Sequence, residues 1–177
     1  MHYTFATIFR AVYDKALAKY SQGARAADAL FSPKETEWLR ANGFTPQHFF
    51  DYAEDQHNGG EPGYDNALAI EAIRRDYFIN VQGGVPSTTV LKEASLPSKD
   101  AAIAGITWLP RILPKTRAKL RGELPNSLMY SCGGDRRFLK THDILPAEFL
   151  ALVWRHHDDD QAIIDWVVRR RAAHAIM

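Results

Sequence analysis

The sequence predicts an all-α (mainly α) fold made of two related helical halves joined by a long irregular segment. Three observations carry this expectation. Residues 37–50 are echoed at 137–150: Leu39/Leu139, Pro46/Pro146 and Phe49/Phe149 are identical, while Trp38/Phe138, Arg40/Lys140, Phe44/Ile144 and Phe50/Leu150 keep their chemical type. Similarity at a fixed offset marks a duplicated packing unit, here a helix-turn-helix. Apolar residues elsewhere recur at helical spacing, bracketed by helix start and stop signals. Strand-like alternation of apolar and polar residues is scarce.

The first element is an amphipathic helix with Phe5, Ile8, Phe9, Val12, Ala16 and Leu17 on its apolar face, ending near Gly23. Ser32-Pro33-Lys34-Glu35 then supplies an N-cap serine, a proline at the first helical position and a glutamate at the capping-box position. That helix stops at Asn42-Gly43. Thr45-Pro46 is expected to cap the next by the same logic, carrying Phe49, Phe50 and Ala53 inward until Gly59-Gly60. A further helix spans about Asp65 to Asn80, with Ala67, Leu68, Ile70, Ala72, Ile73, Tyr77 and Phe78 as its inward face.

Residues 81–107 are rich in Gly, Pro, Ser and Thr and follow no sustained period. A connection of that length usually covers a site, wraps a partner or is disordered, and wrapping or covering is the favoured expectation here. Beyond it, either Pro110 or Pro114 can sit in the first turn of a helix that Gly122 closes. Asp135 is expected to cap the next helix and Pro146 to start another, while the last runs from about Asp160 to Ala173 with Ile163, Trp166 and Val167 inward. The organisation is an N-terminal helical half (1–80), an irregular connector (81–107) and a C-terminal helical half (108–177), read together as one compact domain.

Lys plus Arg (22) nearly balance Asp plus Glu (21) in 177 residues, so no broad field attracts nucleic acid or an anionic membrane. A single cysteine, Cys132, excludes an internal disulfide and a zinc site built on several thiolates. No leader pattern and no long apolar run is present, so a soluble cytoplasmic protein is expected.

Little in the sequence announces chemistry. Arg155-His156-His157-Asp158-Asp159-Asp160 holds two imidazoles and three carboxylates, yet neighbours on a helix diverge, and aspartates ahead of a helix are ordinary caps. Cys132 precedes a helix, where the dipole can activate a thiol, but no base is local to it in sequence. The remaining histidines show no metal-ligand spacing, and no phosphate-binding glycine loop or serine-nucleophile elbow occurs. The chain is read as holding no catalytic, cofactor-binding or metal-ligating residue of its own. Two basic runs remain, Arg74-Arg75 beside Tyr77, and Arg111 with Lys115, Arg117, Lys119 and Arg121 following Trp108. Solvated helix faces account for most such runs. The functional alternative assigns Trp108, Arg111, Arg75, Tyr77 and Lys115 to a pocket or a partner surface.

The stretch Trp108-Leu109-Pro110-Arg111, continuing through Lys115-Thr116-Arg117-Ala118 to Gly122 and on to Asp135-Arg136-Arg137-Phe138-Leu139, Glu148-Phe149 and Asp165-Trp166, resembles a bacterial family of small helical domains known only as a domain of unknown function. That resemblance implies a fold and no activity. By size and by a connector suited to wrapping, the chain also resembles the small subunit of two-subunit ring-cleaving hydroquinone dioxygenases. This second resemblance implies a heterotetramer in which a larger cupin-type subunit holds Fe(II), and this chain stabilises it and lends a side chain to its pocket wall. The leading expectation is therefore a non-metal-binding accessory subunit of a hetero-oligomeric enzyme. The alternative is a free-standing module for a small anionic or aromatic ligand, built on Arg75, Arg111 and Trp108. A third reading, a thiol enzyme using Cys132, ranks last.

Overall fold

A computed structural model describes residues 3–174. Cap chemistry and apolar periodicity produce eight α-helices, with a short two-stranded hairpin as the only sheet among the described residues. The fold is mainly α, and no helix among those residues is long and apolar enough to cross a membrane. The chain divides into two compact units, residues 1–86 and 87–177, so the boundary falls within the connecting segment.

The first unit contains α1 (Phe5–Ser21), α2 (Pro33–Ala41), α3 (Pro46–Gly59) and α4 (Tyr64–Asn80). The capping box forms at α2: the Glu35 amide donates to Ser32 Oγ at 3.4 Å and the Ser32 amide donates to the Glu35 carboxylate at 2.8 Å. Thr45 does occupy the N-cap position of α3 and Pro46 the first turn, but the threonine side chain makes no cap hydrogen bond, contrary to expectation. α1 packs on α3 through rings. Phe9 and Phe49 are fully buried with centroids 5.2 Å apart, and Phe49 meets Tyr52 edge-on at 6.4 Å. The expected inward face of α4 needs correction, because Ala72 is exposed while Glu71 and Arg74 are buried. Each long polar chain has a partner that makes burial tolerable. Tyr52 Oη donates to Glu71 at 2.8 Å, and Arg74 Nη1 donates to Gln82 Oε1 at 3.0 Å while its guanidinium lies 5.2 Å from the Phe78 ring.

The second unit begins irregularly, then forms a hairpin of β1 (Ala102–Ile103) and β2 (Ile106–Thr107), turned by Ala104 and Gly105 at φ 51° and 70°. Positive φ at both turn residues matches the twist of a two-residue hairpin loop. Strands of two residues are too short to show alternation, which is why the sequence reads as irregular there. Four helices follow: α5 (Leu109–Arg121), α6 (Gly133–Thr141), α7 (Pro146–His156) and α8 (Asp160–His174). Pro110 sits in the first turn of α5, Pro114 lies inside it, and Gly122 at φ 71° closes it. Asp135 is not the cap of α6; Cys132 holds that position and Asp135 is the third helical residue. The aspartate run before α8 does cap it, Asp159 Oδ1 accepting the Ala162 amide at 3.0 Å.

The repeated sequence folds the same way twice. Phe44 N donates to Leu39 O at 2.9 Å, and Ile144 N donates to Leu139 O at 2.9 Å. At the end of each first helix a side chain bonds the carbonyl four residues back: Asn42 Nδ2 to Trp38 O and His142 Nδ1 to Phe138 O, both 2.8 Å. Phe49 and Phe149 are each fully buried, whereas Trp38 is half-buried. Phe49→Ala and Phe149→Ala should each cost about 3–5 kcal/mol in denaturant melts, and Trp38→Ala clearly less.

Candidate functional site

The C-terminal unit is organised around the buried carboxylate of Asp135. α6 starts in an extended cap at Cys132, so the third residue of the helix turns its side chain toward the amides at the start. The Asp135 carboxylate accepts from Lys115 Nζ at 2.6 Å, from Ser131 N at 3.0 Å and from Trp108 Nε1 at 2.9 Å. Lys115 and Asp135 are 3% and 0% exposed at their side chains, a fully desolvated ion pair whose remaining lone pairs are satisfied by the other two donors. The nearby Tyr130 hydroxyl is pushed well above its usual range, first by burial and then by the Asp135 charge.

This carboxylate fixes Trp108. The residue sits at the N-cap of α5 in the left-handed region, φ 74°, a conformation uncommon outside glycine. Its indole is bonded to Asp135 and packs over Gly134, where an added Cβ would collide with the ring. Arg111 Nη1 donates to Pro97 O at 2.7 Å, and its guanidinium carbon lies 6.0 Å from the Trp108 ring centre.

Beside Trp108 opens a cavity of about 660 Å³. Its apolar wall is Ile106, Trp108 and Phe138, and Gly105, Thr107, Gly134 and Thr141 also line it. Charge is supplied by Lys99, Arg137 and Arg171 against a single acid, Asp100. His142 also lines it; the ring lies 4.6 Å from that of Phe138, and since a carbonyl only accepts, Nδ1 carries the hydrogen that bonds Phe138 O.

The residues selected from sequence are dispersed. Trp108 lines the cavity, Arg111 stacks near it, and Lys115 lies underneath as the buried partner of Asp135. The second basic run is therefore no solvated face throughout, because Lys115 and Lys119 are 2% and 4% exposed. Arg75 and Tyr77 belong to the N-terminal unit. There Arg75 Nε donates to Asn42 Oδ1 at 2.6 Å and Tyr77 is buried. Cys132 does have a charged neighbour that its local sequence hides, Lys115 Nζ at 3.4 Å, delivered by the preceding helix. Sequence reasoning missed Lys99, Arg137, His142 and Arg171. The repeat was a signal for Phe138 and its surroundings, but it pointed to scaffold.

Residues 93–176 match the model of a family described as a domain of unknown function (DUF5069). The C-terminal part of the chain thus carries a domain of unknown function, as its sequence resemblance implied, and this match names no activity. No curated protein matches the chain, and no solved structure does.

Two substitutions probe this arrangement. Asp135→Ala strands the Lys115 charge in the interior and should cost about 3–5 kcal/mol in urea unfolding. Gly134→Ala, which in an open helix would stabilise by about 0.5–1 kcal/mol, should instead destabilise and alter the Trp108 fluorescence, because its methyl would meet the indole.

Proposed function

We propose that the C-terminal unit is a binding module for a small organic anion, taken up in the cavity beside Trp108. The observation that carries this reading is the pairing of a largely apolar cavity of ligand size with an excess of cations at its edge. Lys99 and Arg137 are exposed and have no ion-pair partner among the described residues, so their charge is available to a ligand. Trp108 is held in place by Asp135 before anything binds, which lowers the entropic cost of using it as a wall. Binding itself needs no reactive group.

An accessory role beside a larger, iron-bearing subunit is the second reading. It draws on Val81 and Val85 at the end of the N-terminal unit, 51% and 66% exposed, apolar side chains a protein partner would cover. The native mass of the protein purified from its host distinguishes the two: a heteromeric complex with stoichiometric iron favours the accessory role, and a lone chain of 20.0 kDa removes it.

For the binding reading, titration of the purified chain with 2-naphthoate should give saturable binding that weakens with added salt. In the double variant Lys99→Gln, Arg137→Gln the affinity should fall about tenfold and the salt dependence flatten. Identical affinity and salt dependence in that variant would remove these cations from the site.

A further inference from the structure

We infer that the ligand of this cavity is a flat aromatic ring bearing the anion, packed against the guanidinium of Arg171 beside Phe138, whose own ring is 5% exposed. The inference rests on the binding reading above, and it is drawn from the other half of the chain, where a side chain of the protein occupies the corresponding place.

The correspondence reaches well beyond the repeated helix pair. One hundred residues before Lys115 and Asp135 stand Lys15 and Glu35, and they too form an ion pair, Nζ to carboxylate oxygen at 2.6 Å in both units. This ties α1 to α5 as firmly as the sequence ties α2 and α3 to α6 and α7. The last helices begin at Tyr64 and Asp160, 96 residues apart, because α7 and the turn after it are shorter than α3 and its turn. At that offset Ala67 and Glu71 fall on Ile163 and Val167; Ala67, Glu71, Ile163 and Val167 are all fully buried. Arg74-Arg75 falls on Arg170-Arg171.

In the N-terminal unit, the Phe5 ring stacks on Trp38 with centroids 6.1 Å apart and planes within 19°, and the Arg75 guanidinium carbon lies 4.7 Å from the Phe5 ring centre. Asn42 holds that guanidinium from the side, accepting from Nε at 2.6 Å. The counterparts of Trp38, Asn42 and Arg75 are Phe138, His142 and Arg171, and all three line the cavity. At the hundred-residue offset Phe5, the first residue of α1, falls on Gly105, which lies in the hairpin turn ahead of α5. It carries no ring, a Cβ there would meet nothing within 4 Å, and Arg171 Nη1 reaches its carbonyl at 3.3 Å. One unit therefore sets a phenyl group of its own against the guanidinium, and the other has no ring of its own there. A ring with a negative face suits a guanidinium on one side and an aromatic neighbour at its edge. A carboxylate on its edge is then within the field of Arg137 and Lys99.

The test is calorimetric titration of the full chain with 2-naphthoate and with decahydro-2-naphthoate, which has the same carbon skeleton and charge and no aromatic face. The expected result is that 2-naphthoate binds about tenfold more tightly, and that Arg171→Gln, an exposed position, removes most of this preference. Equal affinities for the two ligands, or a preference untouched by Arg171→Gln, overturn the aromatic slot and leave the anion module standing. Binding of neither ligand overturns both.

Discussion

The buried carboxylate of Asp135 is the constraint on which the C-terminal unit depends. A carboxylate at 0% exposure is tolerable only with a matched cation and satisfied lone pairs, and those requirements dictate what surrounds it. Lys115 must come from the second turn of α5, Ser131 must present its amide, and Trp108 must turn its indole nitrogen inward. The left-handed backbone of Trp108 and the glycine at position 134 are consequences of that geometry. A rigid aromatic wall for the cavity results.

The same pair appears in the N-terminal unit under other conditions. Lys15 and Glu35 are 35% and 29% exposed at their side chains, and Glu35 also closes the capping box with Ser32. The hydrogen bond from Lys15, followed by those from Ser32, holds the Glu35 carboxyl down from 4.5 to about 2. Since its folded pKa is depressed, what it contributes to stability is complete above the usual carboxylate value and lost as pH falls toward 2. One ion pair has thus diverged into a surface cap and a buried anchor, in step with the divergence of the neighbouring slot. The half with the exposed pair stacks Phe5 on Trp38, and the half with the buried pair has a cavity beside Trp108.

That divergence gives the proposed function its logic. A domain whose core is a repeated helix-turn-helix has no need of an opening, since the repeat can be packed with its own side chains, as the first unit demonstrates. The second unit spends a hairpin, a strained tryptophan and a buried charge pair on an opening edged by cations. Such features are ordinarily found where a ligand is held.

The sequence by itself determined the helical class, the caps and stops of the helices, and the duplication, because these depend on local rules: spacing, cap chemistry and left-handed glycine. Ser32-x-x-Glu35, Gly60 and Gly122 behave as those rules require. It also carried the resemblance of the C-terminal residues to a domain of unknown function. Only the tertiary structure decided which polar residues are buried and which residues meet. Lys115 in a basic run looks solvated until Asp135, on another helix, is seen 2.6 Å away, and Glu71 looks like a surface residue until Tyr52 is seen to bond it. The cavity was hidden for the same reason. Lys99, Phe138 and Arg171 are distant in sequence, and only the folded unit sets them around one space.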